Sequence, residues 1–346
     1  MKFLCLIFLL PHLLNASLSW LSIAKNTNLN FAPNSTQKQI CDQLIGWTSV
    51  QKKFCYEHFD FMDLVYKAAK TTLSECETQF KSRRWNCSTS HSPNIFNRLP
   101  ESGLREASFI YALSSAALTY TITSACSEGK LAGCSCDKSK QRPIRAGYQW
   151  SGCSDNIAYG MAVAENFLDP RIKNKLNLLI VNLHNFETGR KLIEKNMNKQ
   201  CKCHGVSGSC EIKTCWRSMP SFSVIGTKLK EKYDAAVQVD IEKRVNKQRI
   251  IPRNRALKKL SKSDLIYIKN SPDFCRPNPR LASYGTKDRI CNKTSRGIDS
   301  CDLLCCGRPY VTQLEVVTYK CNCTFKWCCS VTCKECKKIQ EVTRCR

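Results

Sequence analysis

The sequence predicts a disulfide-rich α+β protein, with a helical N-terminal part and a small cysteine-rich β part joined by a basic stretch. Three observations carry that expectation. The chain opens like an export leader, it holds 25 cysteines, and their spacing changes abruptly along its length.

Lys2 precedes an apolar run from Phe3 to Leu14, broken by Pro11 and His12, and small residues follow at Ala16, Ser17, Ser19 and Ala24. This order is that of a secretory signal peptide over residues 1–22, cut between about residues 16 and 24. The run is shorter than the about 20 apolar residues of a membrane span, and no further candidate is read downstream. Removing Cys5 with the leader leaves an even set, which in an oxidising compartment reads as a disulfide framework. Cys201-x-Cys203-His204 and Cys333-x-x-Cys336 would suit zinc in a reducing compartment, but export assigns these thiols to cystines, so no metal is expected.

Lys and Arg number 54 against 28 Asp and Glu, a formal charge of +26. For a secreted chain this excludes nucleic acid as the natural partner and points to sulfated glycosaminoglycans, anionic membrane faces or acidic receptor surfaces. Asn34, Asn86, Asn292 and Asn322 each open an Asn-x-Ser/Thr sequon and are expected glycan sites.

The helical part spans 23–225. Phe59–Phe80 and Leu104–Ala125 are long runs of helix formers without proline. Ile157, Met161, Ala164 and Leu168 mark one helix face, capped by Asp155 and closed by Pro170. Leu176, Leu179, Ile180 and Leu183 repeat the pattern until Thr188-Gly189 weakens it. Residues 226–262, with twelve of their positions Lys or Arg between Lys228 and Lys262 and with no cysteine, read as a connector with a solvated basic face. A docking strip for an acidic partner is the other reading. The cysteine-rich part spans 263–346, too small to rely on burial without covalent staples; Asp264–Ile268 and Leu314–Tyr319 read as strands.

Two short stretches look like stapled fingers. In "CNCTFKWCCSVTCKEC" (321–336), hairpin nesting pairs Cys321 with Cys336 and Cys323 with Cys333, the uneven spacing suiting a bulge. Phe325 and Trp327 then sit near a stiff tip, either as a binding hot spot or folded back onto the domain. In "CKCHGVSGSCEIKTC" (201–215), the same nesting pairs Cys201 with Cys215 and Cys203 with Cys210 around a loop of Gly and Ser. The loop is no nucleophile elbow, because Gly205-Val206-Ser207-Gly208-Ser209 misplaces the last glycine. Nor does a small stapled hairpin supply the orienting group and dry pocket that His204 would need as a base. No catalytic residues are therefore expected.

"RRWNCS" (83–88), "WSGCSDN" (150–156), "NLHN" (182–185), "CKCHGVSGSCEIKTCW" (201–216), "CNKTS" (291–295), "LLCCGR" (303–308) and "WCC" (327–329) resemble, in order, the Wnt family of secreted signalling glycoproteins. "WSGCSDNIAYG" and "CHGVSGSCEIKTCWR" are most similar to the subfamily numbered four. The resemblance implies a Wnt-like fold with an acyl-bearing "thumb" at 201–215 and an "index finger" at 321–336. It implies a monounsaturated fatty acyl group on Ser209, added by the Porcupine acyltransferase, and no other cofactor; Ser207 is the neighbouring hydroxyl that does not match. The implied partners are the Wntless carrier, the cysteine-rich domain of Frizzled receptors, an LRP-type co-receptor and heparan sulfate proteoglycans. The receptor contacts fall on Phe325, Trp327, Cys328, Cys329 and Val331, with Cys328–Cys329 a vicinal disulfide. Family pairing further implies Cys76–Cys87, Cys126–Cys134, Cys136–Cys153, Cys275–Cys306, Cys291–Cys301 and Cys305–Cys345, leaving Cys41–Cys55. Two positions depart from the family pattern. Lys326 stands where His is usual, bearing on receptor preference, and Pro309 follows "CCGR" where glycine is common, bearing on where the next strand starts. The expected function is thus an extracellular ligand that activates Wnt signalling in development. The alternative is a heparan-sulfate-binding matrix protein without receptor activation.

Overall fold

The computed structural model of the protein describes residues 18–25, 37–87, 99, 102–139, 148–170, 177–244, 247–254, 256, 259–281, 283–327 and 330–346. The chain folds into two units: one takes in the chain up to Pro272 except residues 80–88, and the other combines residues 80–88 with nearly all of 273–346. Residues 1–17 of the expected leader, Asn34, Cys328 and Cys329 lie outside the described residues.

Ser19–Lys25 forms a 3-10 turn in which Trp20 and Leu21, like Leu18 before it, are wholly buried. Trp20 meets Phe167 edge to face, ring centroids 5.4 Å apart, a contact worth about 0.5–1.5 kcal/mol beyond its burial. A cut at residue 22 would remove these side chains from the core, so the expected cut moves to the early end of its window. N-terminal sequencing of secreted protein is expected to start at or before Leu18; a start at Ile23 would show that the mature chain does without this packing.

The N-terminal unit carries α1 (Gln37–Gln43), α2 (Ser49–Glu57), α3 (Met62–Phe80), α4 (Arg105–Ser127), β1 (Gln149–Trp150), α5 (Ile157–Leu168), α6 (Asn177–Lys195), β2 (Asn198–Cys203), β3 (Lys213–Ser218), α7 (Phe222–Asp234), β4 (Val237–Arg244), β5 (Lys247–Pro252) and β6 (Ile266–Tyr267). Thr48 starts α2 with a reciprocal capping box to Gln51, and Cys41–Cys55 ties α1 to α2. Helix α4 has no charged residue after Glu106 and is apolar on every side, the mark of a helix surrounded by protein. It has the length and composition to cross a membrane, which corrects the reading that no such run follows the leader. However, 89% of its most apolar window is buried inside the protein, and it serves as the core against which the helices Ile157–Leu168, Asn177–Lys195 and Phe222–Asp234 pack.

Glycines set two of those packings. A Cβ on Gly160 of α5 would lie 2.0 Å from Thr123 Oγ1, and one on Gly189 of α6 would lie 2.0 Å from the Ala112 carbonyl oxygen of α4. Gly189, where the apolar pattern weakens in sequence, therefore lets two helix backbones touch within α6. The helix runs on to Lys195, and Arg190 beside it forms a nearly buried ion pair with Asp169, Nη2 to Oδ2 2.8 Å. The cap of α5 is likewise one residue later than expected: Asn156 accepts from the Tyr159 amide at 3.1 Å. Asp155 instead accepts from Ser127 Oγ (2.6 Å) and the Met219 amide (2.7 Å), joining α4 to the end of β3. Phe167 takes the core position assigned to Met161, which is only half-buried.

The basic stretch 226–262 is also more than a connector. Phe222, Ile225, Leu229 and Tyr233 line one face of α7 and are buried, while Lys228, Lys230 and Lys232 intervene in sequence and hide the stripe. Strands β4 and β5 pair antiparallel, β6 runs parallel to β4, and Val239 and Ile266 close on Val181 of α6. The division between units falls after Pro272, not at 262.

The "NLHN" run explains how β6 is held. Asn185 acts like a neighbouring strand: Nδ2 donates to the Ile266 carbonyl and Oδ1 accepts from the Ile266 amide, both at 3.0 Å. His184 Nε2 donates to the Asp264 carbonyl at 2.9 Å. Burial holds the His184 imidazole below its ordinary pKa and Lys191 adds to this, while the Asp264 carbonyl and the charges of Glu187 and Asp264 oppose it. The unfolded chain then binds the proton more readily, so stability is full above the free imidazole pKa of about 6.5 and declines as pH falls through it. The unfolding midpoint is expected to drop between about pH 7.5 and about pH 5.5, and His184→Gln to flatten that dependence. Equal slopes for both proteins would assign the pH effect elsewhere.

The C-terminal unit carries α8 (Cys301–Leu304), β7 (Tyr310–Lys326) and β8 (Ser330–Cys345). Its core cluster is Cys291, Cys301, Leu304, Cys305 and Cys345, so sulfur does most of the filling. The cystines Cys275–Cys306, Cys291–Cys301 and Cys305–Cys345 hold what so small a core cannot. Residues of "RRWNCS" belong to this unit. Trp85 is buried edge-on to Phe80, Arg84 Nε donates to the Leu303 carbonyl at 3.0 Å, and Arg289 donates to the Arg84 and Lys81 carbonyls at 2.6 and 3.0 Å.

Candidate functional site: two stapled hairpins

The thumb belongs to the N-terminal unit. β2 and β3 pair antiparallel with Cys201 directly opposite Cys215, and those two are bridged; Cys203–Cys210 closes the loop above them. Within the loop, Gly205 N donates to the Ser209 carbonyl (2.8 Å), Gly208 N to the Gly205 carbonyl (3.0 Å) and Ser209 N to the Val206 carbonyl (3.1 Å). The chain turns through left-handed conformations at Ser207 (φ 54°) and Gly208 (φ 79°), which glycine adopts freely.

Ser209 Oγ is covered and has no hydrogen-bond partner among the described residues. What covers it is the bare face of Gly205, where a Cβ would come within 2.0 Å of that oxygen. No hydrogen bond among the described residues holds the hydroxyl in that position. His204 Nε2 lies 2.7 Å from Thr214 Oγ1, so the imidazole is engaged away from the loop serines. Val206 is 87% exposed and Ile212 67%, two aliphatic side chains presented where the rest of the loop is polar or glycine. Gly205, Val206 and Ile212 were not singled out from the sequence; the signal for the last two was apolar residues in a loop that builds no core.

The finger belongs to the C-terminal unit. Strands β7 and β8 run antiparallel with the register Tyr319 to Cys336 and Lys326 to Ser330, and a bulge falls between Cys321 and Thr324. Cys321–Cys336 and Cys323–Cys333 cross-link the ribbon. At about 3.4 Å per residue, a strand of 17 residues reaches about 55 Å, and burial is confined to its base at Val342, Thr343 and Cys345. The ribbon is thus maintained by its ladder, its cystines and ion pairs such as Arg344–Glu315 (2.7 Å). Phe325 is 71% exposed, Trp327 93% and Val331 61%. They do not fold back, and large apolar side chains on a pre-stiffened tip lose little entropy on docking.

The remaining cystines are Cys41–Cys55, Cys126–Cys134 and Cys136–Cys153, and Cys76 and Cys87 are each oxidised. Cys291, Cys305 and Cys345 cluster closely enough to suggest a metal site, but all three are in disulfides and offer no thiolate. Asn292 and Asn322 are exposed, and Asn86 is half-buried.

Comparison with known proteins agrees with this architecture. A family profile described as "wnt family" matches residues 43–346. Wnt-3a of Mus musculus is 40% identical over 332 residues, covering 94% of either chain. Wnt-11 of Gallus gallus is 40% identical over 334 residues, covering 95% of this chain and 93% of the relative. Among solved structures, a complex of human WLS with WNT8A aligns with a TM-score of 0.63 at 34% identity, covering 84% of this chain and 95% of the matched one. This chain belongs to the Wnt family, whose members are secreted signalling ligands and not enzymes.

Proposed function

We propose that the protein is an acylated ligand that carries a monounsaturated fatty acyl chain on Ser209 and binds the cysteine-rich domain of a Frizzled receptor through that lipid and the fingertip Phe325, Trp327, Cys328, Cys329 and Val331. The observation that carries the reading is the thumb loop, stapled twice around an unpartnered serine hydroxyl and flanked by exposed Val206 and Ile212. A lipid on a slack loop would bury itself in its own protein, whereas a cross-linked loop holds it out. Porcupine is the proposed acyl donor enzyme. Wntless is the proposed carrier, supported by the similarity to the WNT8A chain solved with human WLS. An LRP-type co-receptor completes the signalling complex in development, and "WSGCSDNIAYG" and "CHGVSGSCEIKTCWR" favour the subfamily numbered four. Heparan sulfate in the extracellular matrix is a further proposed partner, matched to the charge of +26.

The test is mass spectrometry of the Ser209 peptide from secreted protein, with and without Porcupine inhibition, alongside capture on an immobilised Frizzled cysteine-rich domain. An inhibitor-sensitive acyl mass that tracks capture supports the proposal. Unacylated protein that is captured equally well overturns it, and heparin binding without capture of the acylated form favours the matrix reading.

A further inference from the structure

Asn322 sits where the finger breaks register. Cys321 is paired with Lys334 and Thr324 with Thr332, so Asn322 and Cys323 together stand opposite Cys333. Asn322 has φ 46°, the left-handed position of a bulge that is usually glycine and that asparagine tolerates better than other residues. The backbone thus explains a Gly or Asn at 322. It does not call for Thr324 two residues on, which completes Asn322-Cys323-Thr324 as a glycan acceptor.

The site lies close to the proposed contact. Phe325 and Trp327 follow by three and five residues, about 10 and about 17 Å at 3.3 Å per residue. The side chain of Asn322 is exposed, and Cys321–Cys336 and Cys323–Cys333 immobilise its backbone. An oligosaccharide attached there is bulky and cannot be carried away from the tip by strand motion.

We infer that Asn322 carries an N-linked oligosaccharide on part of the secreted protein and that this glycan gates the finger: chains bearing it do not seat Phe325 and Trp327 on a receptor, and chains lacking it do. The inference rests on the finger being a receptor contact. In the transfer, Nδ2 of Asn322 attacks the anomeric carbon of a lipid-diphosphate-linked oligosaccharide. A C–N bond forms, the C–O bond to diphosphate breaks, the lipid diphosphate leaves with the bonding pair, and one amide proton passes to the transferase. In the closed hairpin Cys323 is bridged and Thr324 Oγ1 donates to the Thr332 carbonyl at 3.4 Å, so the transfer belongs to the open strand before stapling.

The experiment uses full-length protein secreted from animal cells. Glycopeptide mass spectrometry reads occupancy at Asn322, and binding to an immobilised Frizzled cysteine-rich domain is compared for the glycosylated fraction, the same fraction after peptide-N-glycosidase, and Asn322→Gly, which keeps the left-handed bulge and removes the acceptor. Partial occupancy is expected, with the glycosylated fraction binding at least about tenfold more weakly than the other two. An unoccupied Asn322, or equal binding by all three forms, overturns the inference and leaves the receptor reading intact. Failure of all three to bind while acylated on Ser209 overturns the receptor reading and the gate with it.

Discussion

Ser209→Ala is expected to leave a secretable, correctly cross-linked fold and to abolish high-affinity capture by a Frizzled cysteine-rich domain. The two halves of this expectation come from different observations. Ser209 Oγ makes no hydrogen bond within the described structure, and the loop is held by backbone bonds and Cys203–Cys210, so removing the oxygen should change stability by no more than about 0.5 kcal/mol. The proposed acyl chain, which the substitution would also remove, is another matter. At about 0.8 kcal/mol per buried CH₂, burying five methylenes supplies about 4 kcal/mol, roughly a thousandfold in affinity. The check pairs an unfolding midpoint with a binding titration. An unchanged midpoint with binding weakened at least about a hundredfold is the expected result; unchanged binding would mean that the thumb recognises its partner by protein surface.

Gly189→Ala is expected to be the most damaging single-methyl change in the N-terminal unit. Its Cβ would fall 2.0, 2.7 and 2.9 Å from the O, C and Cα atoms of Ala112, all of them backbone in the middle of α4, with no side chain free to turn aside. Relief requires α6 to move off α4, which also disturbs the neighbouring Arg190–Asp169 pair and the Tyr111–Phe186 contact at 5.0 Å. Overpacking of this kind costs about 1–3 kcal/mol where side chains can adjust and more where they cannot, against a total stability of about 5–15 kcal/mol. Secretion should collapse, and any secreted protein should unfold at lower denaturant. Gly133→Ala is the control: its Cβ would meet only Tyr159 OH at 3.6 Å, ordinary contact, with an effect within about 0.5 kcal/mol. Similar losses for both would show that helix contact at Gly189 is not the cause.

Both hairpins were legible because their staples are local. Cys203–Cys210 spans 7 residues, Cys323–Cys333 10, Cys201–Cys215 14 and Cys321–Cys336 15. Over such distances nesting within a hairpin limits the choices. Cys275–Cys306 and Cys305–Cys345 span 31 and 40, and only the resemblance to a family suggested them. Helix α7 was hidden because Lys228, Lys230 and Lys232 fall between and beside Leu229 and Tyr233, so that its second half reads as a charge run. The true cap of α5 was missed because Asp155 and Asn156 are equally good caps in isolation, and the choice was made by Ser127 and Met219, far away in sequence.

By itself, then, the sequence determined the cross-linked thumb and finger, the residues at their tips and the family, because these depend on spacing within one hairpin or on runs of adjacent residues. Tertiary structure alone decided that Trp20 is core, that Gly189 is a contact point between two helices, that His184 and Asn185 clasp the Asp264–Ile266 segment, and that Gly205 covers Ser209. Each of these is a meeting of surfaces in three dimensions, where the partner sets the meaning of the residue and no local pattern records which partner it will be.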